Sequence, residues 1–519
     1  MDAPRALETL FADLTAAVGA HGLRTDETTR RLYSQDVYRA GHLAAAVVSP
    51  DNTQQVALVV RLAGAAGIDL FVRGGGMSYT DAYLPTSESS IVMDLARMNR
   101  VRDVNAADLH ATVEAGCTWA ALDEALAEQG LRAVFWGPMS GQRATIGGGM
   151  SQGAATFGSG LHGTSAAAAL GFEVVLGDGQ VLRTAGFFRH SGPDLTGLFT
   201  GDAGAFGIKT AVTLQLEPRP AFGDGLSFAF DSFEQLVGGL QATARLNVAT
   251  ETFGAETALL RSVAGAANFK QDAASALAVI KNSRNPLSGV WQVLRMARHG
   301  RRFLQSSRYT VSILTEARDR TRLALNLRDL RQAAGRFGRE IPNTMATVTR
   351  ATPFPDPLVL GPGGKRLLPL HGIFPYSTVA AFHVAHAQLI ARAQQELTQL
   401  GIEVFVVYAC VGSNALIYEP VIYWQDSWPE LHKTVMPEAM LRQFSESPAN
   451  PAARACVERL RLGIIELMHA HGAAHLQMGR AYPYLQDRDP AFSNLVYALK
   501  SALDPAHRIN PGALGLLPP

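Results

Sequence analysis

Two stretches of this chain have the residue types to hold an anion at close range. One is Phe71 to Asp81, FVRGGGMSYTD, and the other is Ala144 to Gly163, ATIGGGMSQGAATFGSGLHG. Each is a short apolar run that breaks into three glycines, followed by Met-Ser and a polar residue. Consecutive glycines remove every Cβ, so the backbone can turn through positive φ and present successive N–H groups to an anion. That is the chemistry of a diphosphate cradle. A Rossmann fingerprint would need the glycines to open a helix directly after a strand, with an acid about twenty residues on. Here Gly76 leads into Met77, Ser78, Tyr79 and Thr80 and then Pro85, which is poor helix material, and no GxxxxGK[ST] occurs. Farther along, Glu419 precedes a proline in an otherwise apolar run and is a candidate buried base, its pKa raised by burial. Strand alternation sends Tyr418 to the opposite face from Glu419, so only one of the two reaches a site. His371, in Leu370-His-Gly-Ile-Phe-Pro, is a second candidate. A structural ion pair and a structural histidine are the competing assignments.

The elements that must carry these residues follow from periodicity. Leu7, Leu10, Phe11 and Leu14 share a helical face near the N-terminus. Asp51-Asn-Thr caps a helix bearing Val56, Val59, Val60 and Ala63, which Gly67 ends. Ile68 to Val72 is then a short strand delivering the first glycine loop. Ile91-Val-Met-Asp-Leu and Thr112-Val-Glu-Ala-Gly read as further strands, and Thr118 to Gln129 as a helix closed by Gly130. Asp178-Gly179 suits a tight hairpin turn between apolar runs. After Pro218 and Pro220 the texture changes to strands (Gly225 to Phe230, Tyr309 to Leu314, Val404 to Tyr408) mixed with long helices such as Val379 to Leu400. This predicts residues 1–218 as a first domain, 219–474 as a cap domain, and 475–519 as a segment returning to the first.

Composition narrows the function classes. The 519 residues exceed a single core, and 47% hydrophobic with 18% charged content is ordinary for a globular protein. A net charge of +1 gives no global pull toward nucleic acid. The three cysteines, Cys117, Cys410 and Cys456, are not in CxxC spacing, which favours a reducing compartment and a cytoplasmic location. No uninterrupted apolar run reaches transmembrane length. Lys270 to Arg308 holds eight Lys or Arg residues against the single acid Asp272. Within it Val290, Val293, Leu294 and Ala297 share one helical face. Such a helix can lie on an anionic membrane surface or grip an acidic partner, or be a solvated helix of the cap.

The glycine loops belong to a larger ordered set. Val47-Val-Ser-Pro-Asp with Val72-Arg-Gly-Gly-Gly-Met-Ser-Tyr, Trp136-Gly-Pro through Thr145-Ile-Gly-Gly-Gly, Gly201-Asp-Ala-Gly-Ala-Phe-Gly-Ile-Lys-Thr, and Asp504-Pro through Ile509-Asn-Pro-Gly resemble the flavin-domain loops of the vanillyl-alcohol oxidase family. That family is also called the p-cresol methylhydroxylase (PCMH) type, and the resemblance covers roughly residues 45–218 and 475–515. It implies an α+β protein: a PCMH-type FAD-binding domain of two α/β subdomains, an inserted α+β cap and a returning C-terminal segment. It implies FAD contacts from Arg73, Gly74, Gly75, Gly76, Met77, Ser78 and Tyr79 on the first loop. Pro138, Thr145, Gly148, Gly149, Ser151, Gln152 and Gly158 would contribute from the second, and Gly207, Ile208 and Asn510 from the later loops.

The same resemblance places an active-site arginine at Arg480, with Tyr482 beside it as a proton donor or acceptor. Relatives acting on para-alkylphenols carry a tyrosine directly before that arginine, where this chain has Gly479. Many relatives attach FAD through a histidine after the glycine triplet; Met77 stands there, so FAD is expected to be held noncovalently. Relatives that oxidise D-2-hydroxy acids carry a His-based metal pattern on a cap strand. The comparable stretch here, Ala409-Cys-Val-Gly-Ser-Asn-Ala-Leu, has no histidine, so no metal is expected. The implied activity is oxidation of a hydroxyl-bearing small molecule, an aromatic alcohol or hydroxy acid, by hydride transfer to flavin N5. The alternatives are a D-lactate-dehydrogenase-like enzyme, peripheral to a membrane, that passes electrons to quinone or cytochrome, and a non-catalytic flavin-binding scaffold. The resemblance leaves the electron acceptor open among O2, quinone and cytochrome, and a homodimer is one of the assemblies it accommodates.

Overall fold

The computed structural model describes residues 3–266, 307–343, 347, 350, 352–355 and 359–517. The basic stretch from Lys270 onward lies outside the described residues except for its last two, Ser307 and Arg308. The helix Thr53–Ala65 begins where the Asn52 side chain accepts the N–H of Gln55, and Gly67, at φ +71°, turns the chain out of it. Its buried face, Val56, Val59, Val60 and Ala63, packs on a four-stranded sheet. In spatial order that sheet runs Leu23–Arg24, Ala46–Val48, Ile91–Asp94 and Leu70–Arg73, the last three parallel. Burial on both faces explains their unbroken apolar runs.

A second sheet of six strands is centred on Ile208–Pro218, which pairs antiparallel with His110–Glu114, Leu131–Ala133 and Ala169–Val175. The hairpin around Gly179, at φ +81°, joins Ala169–Val175 to Val181–Arg183. A third, eight-stranded sheet contains Phe222–Phe230, Ala249–Glu256, Tyr309–Ala317, Glu403–Val411 and Ala415–Trp424. Phe233–Ala244, Arg320–Ala334, Val379–Leu400 and Pro451–Ala470 cover one face of it, burying Phe228, Tyr309, Tyr408 and Tyr418 among Phe233, Leu330, Phe382 and Ile464. The short helix Ser159–His162, at the end of the second glycine stretch, packs against the strand Ala249–Glu256. There a Cβ on Gly160 would come within 2.5 Å of Ala249 O. The mixed α+β architecture is the one read from the sequence.

The C-terminal stretch rejoins the first sheet. Leu70 donates its N–H to Arg508 O, and Asn510 donates its N–H to Leu70 O. The Asn510 side chain accepts from Val72 N–H and donates to Ala203 O and Gly204 O, tying the first strand to a loop of the second sheet. Lys500 is buried and donates to Ala205 O, Ile509 O and Asp504 Oδ2, so three chain segments meet at one ammonium.

Candidate active site

The two glycine stretches face each other across a cleft of about 910 Å³ between the first two sheets. They reach it by different local structures. In the first, Gly74, Gly75 and Gly76 follow the strand as a loop, and only Gly76 has positive φ, +72°. Gly74 and Gly75 are required by crowding: a Cβ would stand 2.2 Å from Thr145 Oγ1 on Gly74 and 1.8 Å from Arg143 O on Gly75. The second triplet is not a loop. It lies inside a helix, Ile146–Gln152, capped by Thr145 Oγ1 and ended by Gly153. Close approach again outweighs helix propensity, because a Cβ would sit 2.6 Å from Ala115 Cβ on Gly147 and 2.7 Å from Trp119 Nε1 on Gly149.

Of the residues named from the sequence, Gly74, Gly75, Gly76, Met77, Ser78, Pro138, Thr145, Gly148, Gly149, Ser151, Gln152, Gly207, Ile208 and Asn510 line the cleft. Arg73, Tyr79 and Gly158 do not. The Arg73 guanidinium turns to the far side of the glycine loop, 4.4 Å from the Tyr33 ring centroid. Gly158 N–H donates to Glu251 Oε1 and so joins the flavin loop to the large sheet. Sequence reasoning missed Ser140, Gly204, Lys209 and Gln477 on the cleft wall. Lys209 is buried and paired with Asp202 at 2.7 Å; burial pulls the ammonium down and the carboxyl up from their ordinary values. Gln152 Oε1 is buried with no donor among the described residues, an acceptor left for a cofactor N–H. A glycine-lined wall with few charges and one orphan acceptor matches what a flavin dinucleotide needs.

At one end of the cleft a polar relay begins. Gln477 is held by its N–H to Gln152 O at 2.6 Å, and its side chain donates to Tyr79 Oη at 3.1 Å. Tyr79 Oη lies 3.0 Å from His371 Nε2, with the two rings stacked, and that nitrogen is 3.4 Å from Glu419 Oε2. Tyr482 Oη accepts the His371 backbone N–H at 2.7 Å, and His475 Nδ1 is 2.6 Å from His371 O. Burial, then the nearby Glu419 and Tyr482, push the Tyr79 hydroxyl well above its usual value, so it is neutral. His475 is pushed down to about 4 by burial. Glu419 keeps 25% of its side chain exposed, less sealed than its apolar surroundings in sequence suggest. Tyr418 points into the core beneath the helices of the large sheet, as alternation requires.

The structure thus brings Glu419, His371 and Tyr482 together with Tyr79. Arg480 is elsewhere. Its guanidinium donates to Leu84 O at 2.7 Å, stands 5.6 Å from the Phe71 ring centroid and lines a separate cleft beside Glu466 and His469. Burial lowers its pKa from the ordinary value. Positive φ at Gln477 and Gly479, both +52°, turns the chain so that 477 faces the cleft while 480 faces away. Among the described residues no group of three His, Cys, Asp or Glu could hold a metal ion, and no helix is long and apolar enough to cross a membrane.

Residues 44–185 match the family described as an FAD binding domain. This chain carries an FAD-binding domain of that family. The fold is PCMH-type: p-cresol methylhydroxylase with substrate bound superposes with a TM-score of 0.73 at 16% identity, covering 99% of this chain and 97% of that one. Among curated sequences, 1'-carboxy-chondrochloren decarboxylase of Chondromyces crocatus is 31% identical over 41% of each chain. A mitochondrial D-lactate dehydrogenase (cytochrome) of Arabidopsis thaliana is 28% identical over 38% of this chain and 35% of its own length. The matched region therefore spans well under half the length of these relatives.

Proposed function

We propose that this flavoprotein is an oxidoreductase that removes hydride from the carbon of a hydroxyl-bearing small molecule, and that Tyr79, His371 and Glu419 take up the hydroxyl proton. The contact chain Gln477–Tyr79–His371–Glu419, starting on the cleft wall, carries this reading. FAD bound in the cleft supplies the acceptor for the hydride. Gln477 orients the Tyr79 hydroxyl. As the substrate hydroxyl gives its proton to Tyr79 Oη, Tyr79 passes its own to His371 Nε2, and the Glu419 carboxylate pairs with the imidazolium that results. Tyr482 and His475 hold His371 by its backbone and act as positioning residues. Arg480 belongs to the supporting structure in this scheme, since it contacts Leu84 rather than the relay.

The substrate class follows from charge. Among the described residues His371 and Glu419 of the relay pair with each other, and no Lys or Arg forms an ion pair with either. A hydroxy acid would bury its carboxylate without a partner, which is costly; a neutral aromatic alcohol would not. The electron acceptor falls among O2, a quinone and a cytochrome. An anaerobic screen of neutral aromatic alcohols against D-2-hydroxy acids, read by bleaching of the flavin band, tests the proposal. Reduction by hydroxy acids alone refutes the charge argument, and reduction by neither class leaves the flavin-binding scaffold as the better reading.

A further inference from the structure

Behind the first glycine loop lies a second cavity, lined by Arg73, Arg143, Asn99, Thr118 and Tyr33. Its charge is unbalanced. Arg73 is 4% exposed and Arg143 half-buried, each has a buried Nε without an acceptor, and among the described residues no carboxylate pairs with either. The one acid on the wall among the described residues, Asp94, is occupied: Oδ2 accepts from Arg24, Tyr33 and Ser49, and Oδ1 from Ala96 N–H. Burial, and then the neighbouring Arg73 charge, pull Arg143 below its usual value, yet a guanidinium cannot shed its proton in a protein. Two adjacent cations, one of them buried, favour a counter-charge, because burying an ion without a partner is costly.

We propose that this cavity binds a phosphate-like dianion distinct from the diphosphate of FAD. A tetrahedral oxyanion matches paired guanidinium forks in charge and geometry. Gly74 and Gly75 line both the cleft and this cavity, so one layer of backbone separates the two anion positions. The partition is tight, since a Cβ on Gly75 would fall 1.8 Å from Arg143 O.

The test is titration of FAD-loaded protein with inorganic phosphate, followed by calorimetry and phosphorus NMR, with chloride at matched ionic strength as control. Saturable binding of one phosphate per chain is expected. Arg143→Ala should weaken it by at least ~10-fold, the scale of one lost charge-assisted contact, with partial recovery in Arg143→Lys. Asn99→Asp, which adds a competing carboxylate and leaves both arginines, should weaken it comparably. Bound FAD, measured in every variant, distinguishes a folded protein from a collapsed one. Phosphate binding that appears only after FAD is stripped would assign these arginines to the cofactor's diphosphate and overturn the proposal. So would binding unchanged in both Arg143→Ala and Asn99→Asp, or none in the FAD-loaded wild type.

Discussion

Replacing Tyr79 by phenylalanine removes one oxygen atom and keeps the ring that stacks on His371. That oxygen accepts from Gln477 at 3.1 Å and lies 3.0 Å from His371 Nε2, so its loss breaks the relay at its first step. A positioned acid–base group contributes about 10²–10⁴-fold, which is the expected fall in the rate of flavin reduction. Stability should suffer less, by about 1–3 kcal/mol, the cost of leaving one buried donor unpaired. The assay is anaerobic stopped-flow bleaching at saturating alcohol, expressed per bound FAD. His371→Ala should cost a similar factor, and the double variant should be little slower than the slower single one, because both act on the same proton. Losses that multiply in the double variant would show that Tyr79 and His371 act separately. A Tyr79→Phe rate within a few-fold of wild type would remove the relay from the mechanism altogether.

Three further outcomes follow from other contacts. Gly479→Ala should destabilise the protein by about 2–4 kcal/mol in urea unfolding, combining left-handed backbone with overpacking, since its φ is +52° and the new Cβ would stand 2.3 Å from Thr80 O; a change under about 0.5 kcal/mol, the scale of an unconstrained site, would mean that the returning segment gives way freely. With methionine at position 77, acid precipitation should release all FAD into the supernatant, and a pellet that stays yellow refutes noncovalent attachment. Glu251 is 2% exposed, and burial, then Glu316, raise its carboxyl from 4.5 to about 7. The folded state therefore binds a proton that the unfolded state releases, so this group's contribution to stability is full below about pH 4.5 and declines as pH rises to about 7. Glu251→Gln should abolish that slope and gain up to roughly 3 kcal/mol above pH 7; an unaltered pH profile of unfolding would refute it.

Local signals in the chain were read well where physics is local. Asn52 as a helix cap, Gly67 and Gly130 beyond helix ends, and the Asp178-Gly179 turn all depend on a few neighbouring residues, while the helix read from Thr118 starts one residue later with Thr118 as its cap. The helical form of the second glycine triplet is illegible in the sequence, because helix propensity counts glycine against a helix, whereas Ala115 and Trp119, distant in sequence, demand that no Cβ be present. The direction of Arg480 was equally illegible. It is decided by positive φ at Gln477 and Gly479, and nothing in the sequence marks a glutamine for that conformation. The same turn that carries Arg480 away presents Gln477 to the cleft, and no local signal marks that placement.

The turn at Gly479 that decides the direction of Arg480 also bears on the chemistry. The resemblance to phenol-oxidising relatives places a tyrosine directly before the arginine, and position 479 cannot accept one: a side chain there would strike the carbonyl of Thr80. Thr80 O is held in that place because it also accepts the Arg480 N–H, so the glycine loop and the returning segment are locked backbone to backbone. The residue preceding Thr80 is Tyr79. The contact that excludes a tyrosine from the returning segment therefore fixes the backbone beside another tyrosine, whose hydroxyl reaches Gln477 at the cleft wall. On the proposed mechanism, the phenol hydroxyl has moved from the C-terminal segment to the cofactor loop. The His371–Glu419 pair of the large sheet then takes the place of the guanidinium as the charged group behind it.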